Sequence, residues 1–331
     1  MMIEKQIIDF SKCPKNNRHG RYAGNAGDKD GITYNNENWI IKYPKSTRSM
    51  QGTDLPSYTT SPISEYIGSH IYEMLDIPVH ETLLGIRNEK LVVGCKDFCK
   101  HYGDLLEIRS IKNSANEELS KIDEDKLPVS ATGDNVSLEE LLLHFKVNPM
   151  IQREDVQKRF WTSIIVDILI DNNDRNNGNW GLLYDDDIKG YTLAPVFDNG
   201  NSFLNKASDE KITSLLQEMD ENKIIGTRTI YTYHDHLLSA KKLIQFDNIY
   251  LKEAIKKYTP KIKNKLDDIY KFIDEIPTEI SYKDKIISVC SLDRKEYYKL
   301  CIAKRFDKIL QPEYDKIIQQ EKKQNIEHEE R

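Results

Sequence analysis

Residues 171–180 read DNNDRNNGNW, and LAPVFDNG follows at 193–200. The preceding run TSIIVDILI (162–170) is apolar enough for a buried helix, so carboxylates and amides crowd against a core element. Three chemistries would explain the crowding. Asn177-Gly178 is a hairpin signal. A calcium loop of the EF-hand type needs oxygen side chains at positions 1, 3 and 5 before a glycine at position 6. Counting back from Gly178 puts Arg175 at position 3, which excludes that loop. The third chemistry is phosphoryl transfer, with Asp174 and Asn179 on one loop and Asp198 after a following strand. The rest of the chain decides among them.

The chain has 331 residues, room for a large core in one two-lobed unit or two domains. Charged residues make up 31% and hydrophobic ones 38%, the balance of an ordinary globular protein. No apolar run approaches the length of a membrane-spanning helix, and MMIEKQIIDFSK at the start carries charges where a signal peptide needs its apolar stretch. Five scattered cysteines read as reduced thiols of a cytoplasmic protein, with delivery to another cell by a non-classical route left open. Cys95, Cys99 and His101 hint at zinc, but no second ligand pair follows, so none is expected. The net charge of −6 is uneven: residues 1–50 carry +4 and the remainder −10. A basic front end suits an anionic ligand, whereas an acidic remainder argues against direct nucleic-acid binding.

The first hundred residues read as a β-rich unit with one helix. GITY (31–34) and NWIIKY (38–43) form one expected hairpin, VHETLLGI (79–86) and KLVVGC (90–95) another. Between them SPISEYIGSHIYEMLD (61–76) has a helical apolar stripe, with Ser61 as expected N-cap and Pro62 in the first turn. Further on, 102–119 and 137–146 are expected helices, with a capping box at SLEE (137–140). REDVQKRFWTSIIVDILI (153–170) starts amphipathic and becomes apolar all round. Helical patterns are also expected at 208–220, 233–242, 247–273, 282–289 and 293–309, and 312–331 reads as a polar, frayed tail. The fold class expected is α+β and kinase-like: an N-lobe over 1–100, a helical C-lobe over 101–311 and the charged tail.

Phosphoryl transfer needs held phosphates, a hard cation and an oriented nucleophile. YAGNAGDKDG (22–31) can bring backbone N–H groups close to phosphates, although a plain surface turn would look the same. Lys42 ends the apolar strand WIIK, where a lysine would reach the α- and β-phosphates. Glu65 can pair with it, or can simply favour a helix N-terminus. VVGCKDF (92–98) has the place of a hinge strand whose backbone would bond adenine. Asp174 and Asn179 have the D-x-x-x-x-N spacing of a base and a magnesium ligand, and Asp198 stands where a second metal-binding Asp belongs. Each element alone is weak; together, in this order, they favour a kinase.

GNAGDK (24–29), WIIK, SEYIGSHIYEMLDIPV (64–79), LIDNNDRNNGNWGLL (169–183) and LAPVFDNG together resemble the HipA-like serine/threonine kinases. YNNENWIIKYP, ETLLGI and VVGCKDF look like the CtkA-type branch. The resemblance implies ATP and Mg²⁺ as cofactors and a protein as substrate. It implies Asp174 as catalytic base, Asn179 and Asp198 as metal ligands, and phosphate contacts from Gly24, Asn25, Ala26, Gly27, Asp28, Lys29 and Lys42, with Glu65 behind. Backbone at Cys95, Lys96 and Asp97, with Asn176 and Phe197, would complete the nucleotide site. Asn176 stands where the family usually has His. HipA toxins carry a further subdomain ahead of the glycine loop, which here begins near residue 20, so a cognate antitoxin is possible but not assumed. DRNNGN and FDNG also resemble phosphatidylinositol-type kinases, but the segment after Asp198 has only two lysines against two acids, unlike a membrane-facing surface. A non-catalytic nucleotide-binding module would lack the base or a metal ligand, and neither is missing.

Overall fold

The computed structural model describes residues 7–21, 29–48, 50, 55–120, 135–226 and 228–329. Alternation in the first strands sets the geometry of everything above the cleft. Strands β1 (Ile8–Asp9), β2 (Lys29–Tyr34) and β3 (Glu37–Lys42) are followed by helix α1 (Ser61–Met74), then β4 (Thr82–Arg87) and β5 (Lys90–Lys96). They form one five-stranded sheet in the order β1-β4-β5-β3-β2. The β2–β3 turn uses Asn35 and Asn36 in left-handed conformations (φ 49° and 63°), which Asn tolerates. Trp39 and Ile41 point to one face of β3 and join Phe10, Ile32 and Val92 in a small core. Ile40 and Lys42 therefore point to the other face, toward α1.

Helix α1 buries Ile63, Ile67 and Ile71 as its stripe predicts. Its cap position is Thr60, not Ser61, and no side chain caps it. Behind the sheet, Phe10 lies across Gly85 so closely that an added Cβ would meet its ring at 2.3 Å. Gly85→Ala should lower stability by about 1–3 kcal/mol through overpacking, measured as a fall in Tm; an unchanged Tm would show that Phe10 is not seated there.

The second lobe begins with β6 (Leu105–Glu107), where a helix was expected, and continues as α2 (Ile108–Ser120), β7 (Val136–Ser137), α3 (Leu138–Val147) and α4 (Glu154–Leu169). The capping box at 137–140 is half formed: Ser137 Oγ accepts from Glu140 N at 3.2 Å, while the Glu140 carboxylate pairs with Lys112. Helix α4 is buried from Phe160 through Leu169, the central element that the apolar run predicts. Strands β8 (Gly181–Asp185) and β9 (Gly190–Leu193) join β6 in a three-stranded sheet. Helices α5 (Asp209–Glu218) and α6 (Glu221–Ile225) follow.

Two expected helices are hairpins instead. Residues 228–239 form β10 (Arg228–Tyr233) and β11 (His236–Ser239), before a short α7 (Ala240–Ile244). After the long α8 (Ile249–Asp274) come β12 (Glu279–Tyr282) and β13 (Lys285–Ser288). Each turn passes through two left-handed residues, His234-Asp235 and Lys283-Asp284. The runs RTIYTY and EISY are β-branched and aromatic, which favours strands once such a turn closes them. The chain ends in α9 (Leu292–Arg305), a π-turn over Phe306–Leu310, and α10 (Gln311–Glu329). The expected frayed tail is thus helical: Ile317 is buried, and Lys256 of α8 pairs with Glu321 at 2.7 Å.

Candidate active site

Helix α4 hands its last turn to the loop 170–180. Asp171 turns the chain outward in a left-handed conformation (φ 55°), and Arg305 of α9 grips its carboxylate and the Ile168 carbonyl. The D-x-x-x-x-N spacing then closes on itself: Asn179 Nδ2 donates to the Asp174 carbonyl at 2.6 Å. Asp174 N donates to Asn172 Oδ1 at 3.1 Å, leaving its carboxylate for other work. Burial raises the Asp174 pKa, opposed by a 2.9 Å hydrogen bond from Asn176 Nδ2; Asp198 raises it further, while Lys45 and Lys206 lower it. Asn176 Oδ1 also accepts from Gly178 N (2.8 Å) and Arg109 Nη2 (2.9 Å). Its position orients Asp174.

Across the cleft, Lys42 Nζ lies 2.9 Å from both Glu65 Oε2 and Asp198 Oδ1. Burial works against the Lys42 charge, but the two carboxylates hold its pKa well above the ordinary value. Glu65 is 1% exposed, and although burial opposes its ionisation, Lys42 and the donors around it keep its pKa far below the usual carboxylate range. Asp198 is half-open to the cleft, with a left-handed backbone (φ 61°) of the strained kind found at functional sites. The segment carrying it is delivered by a short parallel pairing between the lobes, with His80 N on the Val196 carbonyl at 2.9 Å and Val196 N on the Pro78 carbonyl at 2.8 Å.

Arg175, next to Asp174, ties these parts together. Its Nε and Nη2 form a bidentate pair with Asp167 of α4, both at 2.9 Å. Its Nη1 donates to the carbonyls of Asn179 and Phe197, and its Nη2 also reaches Asn199 Oδ1. Tyr72 of α1 donates to the same Asp167 carboxylate at 2.9 Å. One buried guanidinium therefore joins α4, the loop and the Asp198 segment, and Asp167 extends the network to α1. Nothing in the local pattern marks Arg175 or Asp167 as a junction, because Phe197, Asn199 and Tyr72 are distant in sequence.

Gly24, Asn25, Ala26, Gly27 and Asp28 lie outside the described residues, as does Tyr22. Lys29 is directly opposite Lys42 in the β2–β3 register, so both ammonium groups share the cleft face. Burial first, then the Lys42 charge, lowers the Lys29 pKa. Like charges facing each other cost stability unless an anion lies between them. At the hinge, the N–H groups of Lys96 and Asp97 are already bonded to the carbonyls of Glu81 and Asn38, both at 2.9 Å. The Lys96 side chain turns to Glu37 at 2.6 Å, and Asp97 pairs with Arg18 at 2.6 Å. Arg18 also holds the Cys99 and Lys100 carbonyls, a clamp that sequence reading missed. Cys95 is buried, and Phe197 stands against Phe98 with ring centroids 5.7 Å apart. A separate groove of about 990 Å³ lies between residues 44–63 and the starts of α5 and α9.

A curated relative, the serine/threonine-protein kinase CtkA of Helicobacter pylori, is 31% identical over 279 residues, 82% of this chain and 79% of the relative. The chain belongs to this kinase family. The crystal structure of a Helicobacter pylori proinflammatory kinase CtkA matches it with a TM-score of 0.76 at 26% identity, covering 96% of this chain and all of that one. A chain of the HipA–HipB–operator DNA complex of Shewanella oneidensis matches with a TM-score of 0.52 at 11% identity, covering 88% of this chain and 67% of that one, a likeness of fold alone. No protein-family model matches. As a CtkA-type serine/threonine kinase the chain transfers phosphate from ATP, with a divalent metal, to a protein; the lipid-kinase and non-catalytic readings fall away. No helix among the described residues is long and apolar enough to cross a membrane.

Proposed function

We propose that this kinase is magnesium-dependent, with Asp174 as general base and Asn179 and Asp198 as metal ligands. The observation that carries this reading is Lys42, held at 2.9 Å by Glu65 from one lobe and Asp198 from the other. Asp198 and the Asn179 amide offer hard oxygens, the donor type magnesium takes alongside water and phosphate. ATP with the metal supplies the transferable phosphoryl group and neutralises its developing charge. Lys42, Lys29 and residues 24–28 contact the phosphates. The carbonyl side of the hinge at 95–97 and the Phe197 ring receive the base. Asp174, oriented by Asn176, takes the proton of the substrate hydroxyl.

Radiolabelled ATP, offered with magnesium, calcium or chelator to generic proteins and phosphoinositide vesicles side by side, tests this. Label should enter protein and depend on magnesium; equal transfer under chelator would overturn the metal assignment. HipB and operator DNA belong to the Shewanella complex, and we extend neither to this chain, whose charge beyond residue 50 is −10.

Self-regulation gives a second expectation. HipA-type kinases resemble one another in phosphorylating a serine in the glycine loop, where the added charge repels the nucleotide's own phosphates and opens the loop. RHGRYAGNAGDKDGI (18–32) contains no Ser or Thr. Activity should therefore survive preincubation with ATP, and phosphopeptide mapping should place any self-modification elsewhere. Ser46 is exposed, whereas Thr47 is buried with its hydroxyl on the Pro56 carbonyl and Ser202 is fully buried. Phosphotyrosine at Tyr22 with falling activity would overturn this expectation.

A further inference from the structure

We propose that His80 is a positioning residue for phosphoryl transfer: it holds Glu65 so that Glu65 can hold Lys42 beside Asp198. The proposal rests on the role given to Lys42 above. Glu65 takes three donors, Lys42 Nζ on Oε2 and both His80 Nε2 and Asn199 N on Oε1, each at 2.9 Å. A carboxylate can only accept, so His80 Nε2 carries the proton of that bond. The ring is itself pinned. Ser69 Oγ of α1 lies 3.3 Å from Nε2 and receives Asn199 Nδ2 at 3.0 Å. The His80 backbone donates to Val196, two residues before Asp198. His80 thus touches the helix that carries Glu65 and the strand that delivers Asp198. It sets the distance between the two carboxylates that share one lysine.

Packing crowds the carboxylate on its Oε2 side and draws α1 close to Asn199. Gly200 lies so near that an added Cβ would stand 3.1 Å from Glu65 Oε2, and one on Gly68 would meet Asn199 Cβ at 2.9 Å. Removing the imidazole leaves Oε1 with one donor and an empty space beside it. The carboxylate would rotate toward that space, and Lys42 would drift to Asp198, which is then less available to a metal.

A second chemistry fits the same atoms. Glu65, His80 and Cys95 have ligand atoms within 4.8 Å of one another, the arrangement of a soft divalent site. The hydrogen-bond reading is favoured because both Glu65 oxygens are already engaged by N–H donors. A cation there would have to expel Lys42, and burial pushes the Cys95 thiol pKa up, away from the thiolate a metal needs.

The test compares His80→Leu, His80→Gln and His80→Asn with Lys42→Met, reading kcat, KM for ATP, and calorimetric affinity for ATP and for adenosine. His80→Leu should lose about tenfold to a hundredfold in kcat, as a small misplacement of the reacting groups does. It should weaken ATP binding while leaving adenosine binding unchanged, because adenosine makes no use of Lys42. His80→Gln, which keeps a long N–H donor, should recover most of kcat, and His80→Asn, too short to reach Glu65, should behave like Leu. Equal loss of ATP and adenosine affinity, or wild-type kcat in His80→Asn, would overturn the proposal. If His80→Leu does not fold, the Gln–Asn contrast decides alone. Lys42→Met with wild-type activity would bring down the Lys42 reading itself. An inactive Lys42→Met beside fully active Leu and Asn variants would remove only the role of His80. Retained zinc in the purified wild type, absent from His80→Leu, would replace the positioning role with a metal site.

Discussion

Asp174→Asn is expected to reduce phosphoryl transfer by about a hundredfold or more, the usual worth of a positioned general base, with the fold intact. The loop geometry does not depend on the carboxylate: Asn172 and Asn179 hold Asp174 through its backbone N–H and carbonyl. Asn176 Nδ2 already donates to Oδ1, so an asparagine at 174 would turn its carbonyl to Asn176 and present an NH₂ to the substrate. A donor would then stand where an acceptor is needed. Because burial disfavours the Asp174 charge, its removal should leave Tm unchanged or slightly higher. Single-turnover rates and ATP titration would measure both sides. Transfer within about threefold of wild type, a barrier change of only about 0.7 kcal/mol, would remove Asp174 from the role of base.

Asp198→Ala should lose about a hundredfold or more in kcat, the scale of losing one charge stabiliser of the transition state. It should also change how nucleotide binding responds to magnesium. The carboxylate is both the proposed metal ligand and a 2.9 Å partner of Lys42, so its loss uncouples cation from phosphate. Glu65 still holds Lys42 at 2.9 Å, and nucleotide affinity should persist while becoming nearly insensitive to added magnesium. Alanine in the left-handed conformation (φ 61°) would add a backbone cost of about 1–2 kcal/mol. Asp198→Asn is therefore the cleaner variant: Asn tolerates that conformation and keeps the shape, but lacks the charge. Unchanged magnesium dependence in both variants would show that Asp198 is not a metal ligand.

What could be read from the chain alone is what depends on near neighbours. The apolar run WIIK marked a strand ending on Lys42, whose pleat sets Lys42 opposite the face that holds Trp39 and Ile41. The stripe of Ile63, Ile67 and Ile71 defined α1, and an all-round apolar run defined α4. Asp174, Asn179 and Asp198 could be proposed from the chain because loop chemistry is written in short spacings, and Asn179 does close on Asp174 within five residues. Where two left-handed residues decide between helix and hairpin, as at Asp235 and Asp284, local composition pointed the wrong way.

Tertiary structure alone decided which side chains support the site. His80 meets Glu65 from 15 residues away, Arg18 meets Asp97 from 79, and Arg175 reaches Asn199 from 24. Asn176 stands where the family usually has His, and only the folded loop shows its amide bonded to Asp174, Gly178 and Arg109. A buried charge must find donors or an opposite charge wherever the packed chain brings them. That choice follows from how α1, α4 and the Val79–Val196 pairing are docked, and no periodicity in the sequence records it.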